Sequence, residues 1–355
     1  MRKIFFTVGP TQEHPKLQTF VREAFKKNII SISHRGTDFQ SIFAETSNAL
    51  RHILNLPSDF HIFFLSSATE AMERVVENCA REKTFHLVNG AFSKRFLKTA
   101  EELKKSAQKT EVDAGLGFDL ARIEISSSTE LVCLVHNETS TGVATDIGGV
   151  YALKKRYPEM LFAVDIVSSA PYADIDYSLV DCAFFSVQKG FGMPAGLGVL
   201  LVNGRCIEKS RALEKEGVNV GTYHKFSTLL TYAEKNQTPE TPNVLGIYLL
   251  GRIAEAYQAQ GIEKIRKATN EKAAYLYDFF EHHGSLTPFV KNEAWRSKTV
   301  VTVEAPGGSR PVIDLLKKRG FIVGSGYGER KETQIRIGNF PMHRMGDIKL
   351  MLKAL

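Results

Sequence analysis

Lys189 is the residue with the clearest capacity for chemistry in this sequence. Within residues 182–202, two apolar runs of strand length flank this lysine, and glycines with one proline connect them. The pattern predicts two buried strands joined by a turn, with Lys189 at the mouth of the hairpin. An amine beside a dry core has a lowered pKa and can act as a nucleophile in Schiff-base chemistry. A surface lysine in a turn is the alternative that this stretch alone leaves open.

Asp165 is the second candidate, because it ends an apolar run 24 residues before Lys189. A carboxylate buried there needs a cation or hydrogen-bond donors opposite it. Asp165 and Lys189 could form an ordinary ion pair, or they could flank one cofactor ring. Thr139, Ser168 and Gln188 also stand beside predicted strand ends, and this favours a ligand that all of them share.

Two segments could bind anions. His34 and Arg35 precede a glycine, and an arginine can hold a carboxylate or phosphate through two hydrogen bonds. An exposed loop pair is the alternative interpretation. Residues 66–73 place small side chains between an apolar strand and a helix, where backbone N–H groups can contact a phosphate and Thr69 can cap the helix. Arg336 lies on a predicted strand and could otherwise be a surface cation.

Apolar runs and helical segments alternate along the first two thirds of the chain. Each run ends in small polar residues, which is typical of an α/β fold with a parallel sheet and ligand groups at the carboxyl ends of the strands. A long helical region over residues 244–282 leads to a small α+β unit. We predict an N-terminal arm over 1–14 that packs with the small domain, a large cofactor-binding domain over 15–255 and a small C-terminal domain over 256–355.

Composition limits the classes of partner. The chain has 355 residues, a net charge of +7 and no dense basic run interleaved with aromatic residues. These features argue against nucleic acid, whereas an anionic small substrate or plain solubility explains the charge. The four cysteines show no CxxC spacing, and we recognise no secretion signal and no membrane span. We therefore expect a cytoplasmic protein without a metal site.

Four motifs stand in an order that resembles the class V aminotransferases, fold-type I enzymes that use pyridoxal 5′-phosphate (PLP). The motifs are residues 136–139, 165–169, 188–189 and 336–339. The resemblance covers nearly the whole chain. Residues 6–10 and 31–39 look like the phosphoserine aminotransferase branch. Residues 68–72 and 137–142 look more like the alanine–glyoxylate and serine–pyruvate branch.

The resemblance implies a mostly parallel, seven-stranded-type sheet in the large domain and a smaller α+β domain. It implies that Lys189 forms a Schiff base with PLP and moves a proton to and from the substrate, while Asp165 pairs with the pyridinium nitrogen. The other implied cofactor contacts are Ala68, Thr69, Phe92, Thr139, Gln188 and Thr238. Thr238 would reach PLP across a homodimer interface. Arg336 would bind the substrate α-carboxylate, and His34 with Arg35 would bind a substrate phosphate.

The favoured function is a phosphoserine:2-oxoglutarate aminotransferase of serine biosynthesis. A transaminase of the alanine–glyoxylate or serine–pyruvate type, acting on small unphosphorylated amino acids, is the alternative. Two departures from the phosphoserine branch support that alternative. Ile335 stands where that branch has a histidine, and Glu70 puts an acid where positive charge would help to bind a phosphorylated substrate. A PLP-binding or anion-binding protein without transaminase activity is a third possibility. A cysteine desulfurase is disfavoured because Cys206 is the last cysteine.

Overall fold

The computed structural model describes residues 3–355, which form two main sheets and surrounding helices. The strands of the large sheet are β2 His61–Leu65, β3 Lys83–Val88, β4 Ser106–Glu111, β5 Leu131–Val135, β8 Leu161–Asp165, β9 Cys182–Ser186 and β10 Gly198–Val202. The other strands are β1 Ile4–Phe6, β6 Asn137–Glu138, β7 Val143–Ala144, β11 Thr287–Pro288, β12 Val300–Glu304, β13 Phe321–Ser325 and β14 Gln334–Gly338. The helices are α1 Leu17–Lys26, α2 Thr37–Leu54, α3 Ala68–Cys79, α4 Ala91–Glu102, α5 Ile147–Arg156, α6 Gly204–Lys215, α7 Phe226–Ala233, α8 Val244–Gln260, α9 Ile262–His282, α10 Ser309–Lys318 and α11 Met345–Leu352.

The large sheet has the order β2-β10-β9-β8-β5-β3-β4. Strands β9, β8, β5, β3 and β4 pair in parallel, whereas β10 is antiparallel to both of its neighbours. The predicted seven-stranded, mostly parallel sheet is therefore confirmed. The hairpin around Lys189 is confirmed as well, because Ser186 pairs with Gly198 where β9 and β10 meet the turn.

Both faces of the large sheet are covered, which explains why its central strands read as unbroken apolar runs. Along β9, Phe184 packs into a core with the α3 side of the sheet, and Phe185 packs into the core on the opposite side with α2 and α8. Both side chains are fully buried. Successive side chains of a strand point to opposite faces, so each residue of the strand fills one core or the other.

The second sheet has the order β1-β13-β14-β12-β11, and β1 joins it by pairing in parallel with β13. Its apolar side packs on α9, α10 and α11 through residues such as Ile335 and Ile337. Arg336 lies between those two residues on β14, so its side chain leaves the sheet on the other face. Gly261 separates α8 from α9 with a φ of 89°. The predicted domain boundaries stay a prediction.

Within residues 3–355, none of the helices is both long and apolar enough to cross a membrane.

Candidate active site

The carboxyl ends of the parallel strands surround a cavity of about 220 Å³. Seven of the predicted site residues line it: Ala68, Thr69, Phe92, Thr139, Asp165, Gln188 and Lys189. Ser168, which the sequence analysis associated with the same ligand, lines it as well. Residues that were not predicted as contacts also line it: Gly9, Met72, Val135, Asn137, Val167 and Ser186. Most of these residues stand at or just after the carboxyl ends of strands in the large sheet, which lie at one edge of the sheet. Gly9 comes instead from the N-terminal segment.

Lys189 is buried in the turn that follows β9. Its Nζ donates a hydrogen bond to Thr139 Oγ1 at 3.2 Å and lies 5.0 Å from the centre of the Phe92 ring. Burial lowers the pKa of Lys189 to about 8, although the negative charges of Asp165 and Glu138 oppose this effect. With this pKa, about one tenth of the amine is neutral at pH 7 and about half at pH 8, and the neutral amine is the nucleophile.

Gly9 lies against the side chain of Lys189, and the sequence analysis did not identify it as a site residue. A Cβ atom added at Gly9 would lie 2.8 Å from Cε of Lys189, and the φ of this glycine is 141°. The backbone N–H of Thr11 donates to the carbonyl oxygen of Gln188, which fixes the N-terminal segment across the turn. The sequence placed Gly9 in the N-terminal arm and in the segment 6–10 that resembles the phosphoserine branch, and neither feature showed what this glycine would face.

Asp165 is buried at the end of β8 and faces the same cavity. Its Oδ1 accepts a hydrogen bond from the backbone N–H of Val167 at 2.8 Å. Burial raises the pKa of Asp165 to about 7, against the opposing effects of that hydrogen bond and of Lys189. A cationic group placed in the cavity would stabilise the carboxylate, and a protonated ring nitrogen is such a group.

Glu138 binds the backbone of the first turn of α4, which carries Phe92. Its Oε2 accepts the backbone N–H groups of Phe92 at 3.0 Å and Ser93 at 2.9 Å, and the residue is fully buried. Gly90 makes this approach possible, because a Cβ atom there would lie 2.4 Å from Cγ of Glu138. Sequence reasoning singled out Thr139 in this motif and overlooked its neighbour. An acid three residues after the end of a buried strand was the available signal.

The first turn of α3 offers a place for a phosphate. Ser67 Oγ accepts the backbone N–H of Glu70 at 3.1 Å, and the N–H of Ala68 donates to Ser186 Oγ at 2.8 Å. Ala68 and Thr69 are the first two residues of this helix, at its positive end, and both line the cavity.

Arg336 is on the second sheet and is not among the residues that line the cavity, but it contacts Thr139, which lines it. Its Nε donates to the carbonyl oxygen of Ser325 at 2.8 Å, and its Nη1 donates to that of Thr139 at 3.0 Å. The guanidinium carbon lies 5.4 Å from the centre of the Tyr327 ring. Thr139 thus contacts Lys189 through its hydroxyl and Arg336 through its carbonyl oxygen. The amine of Lys189 and the guanidinium of Arg336 therefore share Thr139 as a neighbour.

The remaining predicted residues, His34, Arg35 and Thr238, are not among those that line the cavity. Arg35 Nη1 donates to the carbonyl oxygen of Thr238 at 2.5 Å, and Nη2 donates to that of Pro239 at 2.8 Å. Arg35 also lies over the ring of Tyr232 at 4.7 Å. Arg35 and Thr238 therefore form a second cluster within one chain, apart from the cavity that contains Lys189, and His34 precedes Arg35 in the sequence.

The cavity fits an aromatic, phosphorylated aldehyde on the chemistry of its donors: a lysine with a lowered pKa, a buried carboxylate, an aromatic ring and a helix N-terminus. The sequence matches the family model described as "Aminotransferase class-V" over residues 5–331. The chain belongs to the class V aminotransferase family. The predicted family is confirmed, and with it the prediction of a PLP-dependent transaminase.

Known members of the family match over the whole length of this chain. A solved phosphoserine aminotransferase from Cytophaga hutchinsonii has a TM-score of 0.97 and 41% sequence identity, covering 99% of this chain and 98% of its own. A phosphoserine aminotransferase from Rhodococcus opacus is 25% identical over 99% of this chain and 93% of its own. An alanine–glyoxylate aminotransferase from Nostoc has a TM-score of 0.87 at 23% identity, which shows a shared fold.

Proposed function

We propose that this chain is a phosphoserine:2-oxoglutarate aminotransferase that acts in serine biosynthesis. The observation that carries the proposal is the 41% identity to a phosphoserine aminotransferase over 99% of the chain. Glu70, the acid that counted against a phosphorylated substrate, is paired with His224, which reduces the effect of its charge on a bound phosphate.

Bound PLP supplies an aldehyde that condenses with amines and a ring that withdraws the electrons left when the substrate α-carbon loses its proton. Lys189 would bind the cofactor and then, as a free amine, carry the proton at the α-carbon. Asp165 would hold the proton on the ring nitrogen. Phe92 would stack on the ring, and Thr139 would contact the ring oxygen.

The phosphate of the cofactor would lie against Ala68, Thr69 and Gln188, which line the cavity together. Arg336 would bind the α-carboxylate of the amino acid, because its guanidinium is already oriented by two backbone carbonyls. An arginine fixed in this way loses little freedom when it binds a carboxylate through two parallel hydrogen bonds.

A homodimer would bring the second cluster to the cavity. Thr238 of the partner subunit would then contact the cofactor phosphate, and His34 with Arg35 would bind the phosphate of the substrate. This arrangement is supported by the hydrogen bonds that join Arg35 to Thr238 and Pro239, since they make the cluster one unit. We further propose a cytoplasmic location and the domain boundaries given above.

Half-reactions with single amino acids test the substrate. Purified protein is mixed with phosphoserine, serine, alanine or glutamate, and the absorbance of the bound cofactor is followed. Phosphoserine and glutamate should react fastest. Equal or faster reaction with alanine or serine would favour the alternative, a transaminase for unphosphorylated amino acids. A preparation that takes up no PLP, or that borohydride does not label at Lys189, would overturn the proposal.

His34→Ala is the sharper variant for the phosphate contact. Loss of one hydrogen bond to a charged group should lower kcat/KM for phosphoserine by about tenfold and leave the reaction with alanine unchanged. Arg35→Ala is expected to impair both substrates, because Arg35 also holds the backbone at Thr238 and Pro239. An equal loss for both substrates in His34→Ala would contradict the assignment.

A further inference from the structure

Three charged residues form a network beside the first turn of α3. His224 contacts Glu70 Oε1 through Nδ1 and Glu240 Oε2 through Nε2, the second contact at 3.1 Å. The side chain of His224 is only 6% exposed. Both ring nitrogens of one imidazole thus engage carboxylates from distant parts of the chain.

The charges in this network support each other. Burial disfavours the charged imidazole, but the hydrogen bonds to Glu240 and Glu70 outweigh burial and raise the pKa of His224 to about 9. Burial likewise disfavours the charged form of Glu70, but hydrogen bonds from His224 and Ser66 lower its pKa to about 2. A protonated histidine between two carboxylates is the state of the network at neutral pH.

One end of the network belongs to the cavity. Glu70 is in the first turn of α3, the turn whose Ala68 and Thr69 line the cavity. Its Oε2 accepts hydrogen bonds from the backbone N–H of Ser66 at 2.9 Å and from the Ser66 hydroxyl at 2.6 Å. The carboxylate therefore closes the loop between β2 and α3 as well as binding His224.

The other end belongs to the segment that carries Thr238. The hydroxyl of Thr238 donates to the carbonyl oxygen of Glu240 at 2.7 Å, and the residue is buried. The Glu240 side chain then binds His224. Through His224, the backbone that presents Thr238 is tied to the helix that presents Ala68 and Thr69.

We propose that His224 is a positioning residue that fixes the Thr238 segment against the first turn of α3 and so sets how tightly the cofactor phosphate is held. The inference rests on the proposed PLP chemistry of this cavity. In the proposed homodimer, one network orients the phosphate contacts of its own cavity and the Thr238 segment that reaches the other cavity. Neither Glu70 nor His224 needs to touch the cofactor.

The test compares PLP with pyridoxal, the same aldehyde without the phosphate. The full-length protein is freed of cofactor and titrated with each compound by absorbance. His224→Gln keeps a hydrogen-bonding side chain but removes the cation between two carboxylates. We expect it to weaken PLP binding about tenfold, the effect of losing one hydrogen bond to a charged group. The affinity of His224→Gln for pyridoxal should not change. If His224 had a purely structural role, its loss would weaken the binding of both PLP and pyridoxal.

Lys225→Gln is the matched control. Lys225 is the next residue and forms its own ion pair with Glu214 at 2.7 Å, outside the network. This variant should bind PLP and pyridoxal as the wild type does. If His224→Gln does not fold, Glu240→Gln weakens the same link by removing the negative charge of the acceptor, while keeping the pair of His224 with Glu70. It should show the same selective loss for PLP.

If the wild type binds PLP, two results with the variants would overturn the inference. The first is unchanged PLP affinity in both His224→Gln and Glu240→Gln. The second is an equal loss for PLP and pyridoxal in either folded variant. Failure of the wild type itself to bind PLP would instead refute the proposed function, so the two failures are distinguishable.

Discussion

Replacing Asp165 by asparagine should stabilise the cofactor-free protein while preventing productive cofactor binding. Asp165 is buried and faces the cavity, and no ion pair joins it to a cation within residues 3–355. Asparagine has the same shape and still accepts the N–H of Val167, which now donates to Oδ1 at 2.8 Å. The substitution therefore removes the charge and leaves the packing intact.

The magnitude follows from the pKa of Asp165, which burial raises from 3.8 to about 7. Each tenfold change in proton affinity corresponds to about 1.4 kcal/mol, so the ionised carboxylate costs the folded chain about 4 kcal/mol at pH 8. Between pH 3.8 and 7 the folded chain binds the proton that the unfolded chain has released, so this cost grows as pH rises. At pH 5 it is about 2 kcal/mol.

Thermal melting of the cofactor-free proteins at pH 5 and pH 8 checks this reasoning. Asp165→Asn should melt a few degrees above the wild type at pH 8, and the difference in melting temperature should be smaller at pH 5. Added PLP should reverse the order, because only the wild type offers a carboxylate to the ring nitrogen. Asp119→Asn, at an exposed position, is the control and should change neither result. A variant that melts below the wild type at pH 8, or by the same margin at both pH values, would refute the argument.

Three further predictions concern the same site. Because the pKa of Lys189 is lowered to about 8, the rate of PLP capture should rise as pH increases through 8 and then level off, measured by stopped-flow absorbance; a flat profile would contradict it. Gly9→Ala should slow PLP capture at least tenfold, because its Cβ would lie 2.8 Å from Cε of Lys189, whereas Gly204→Ala, with open space around it, should not. Arg336→Lys should raise KM for the amino acid by one to two orders of magnitude with unchanged PLP affinity, since it loses the two-pronged carboxylate contact; an equal loss of PLP affinity would show a different role.

The central part of the fold and of the site was predictable from the sequence alone. Strands such as β8 and β9 were recognisable because they are buried on both faces and therefore apolar throughout. Asp165 and Lys189 follow from the same logic, since a charged residue at the end of an apolar run is conspicuous. By contrast, β4 is an edge strand with the polar sequence SAQKTE, so its residues carried no strand signal.

Contacts made over long sequence separations depend on the tertiary fold and were not predictable. Gly9 covers Lys189, and Glu138 binds the backbone N–H of Phe92 from 46 residues away. Neither contact has a local periodicity, because hydrogen bonds and steric fit depend on where the chain returns and not on its neighbours in sequence.

Glu70 shows the difference most clearly. From the sequence alone, Glu70 was an acid that argued against a phosphorylated substrate. In the folded chain it is paired with His224, 154 residues away, which partly offsets its charge. The sequence specifies the residue type, but the electrostatic effect of Glu70 is set by the partner that the fold brings to it. Coulomb interactions act over a few ångströms of space, and those distances are specified by the tertiary structure and not by the order of residues.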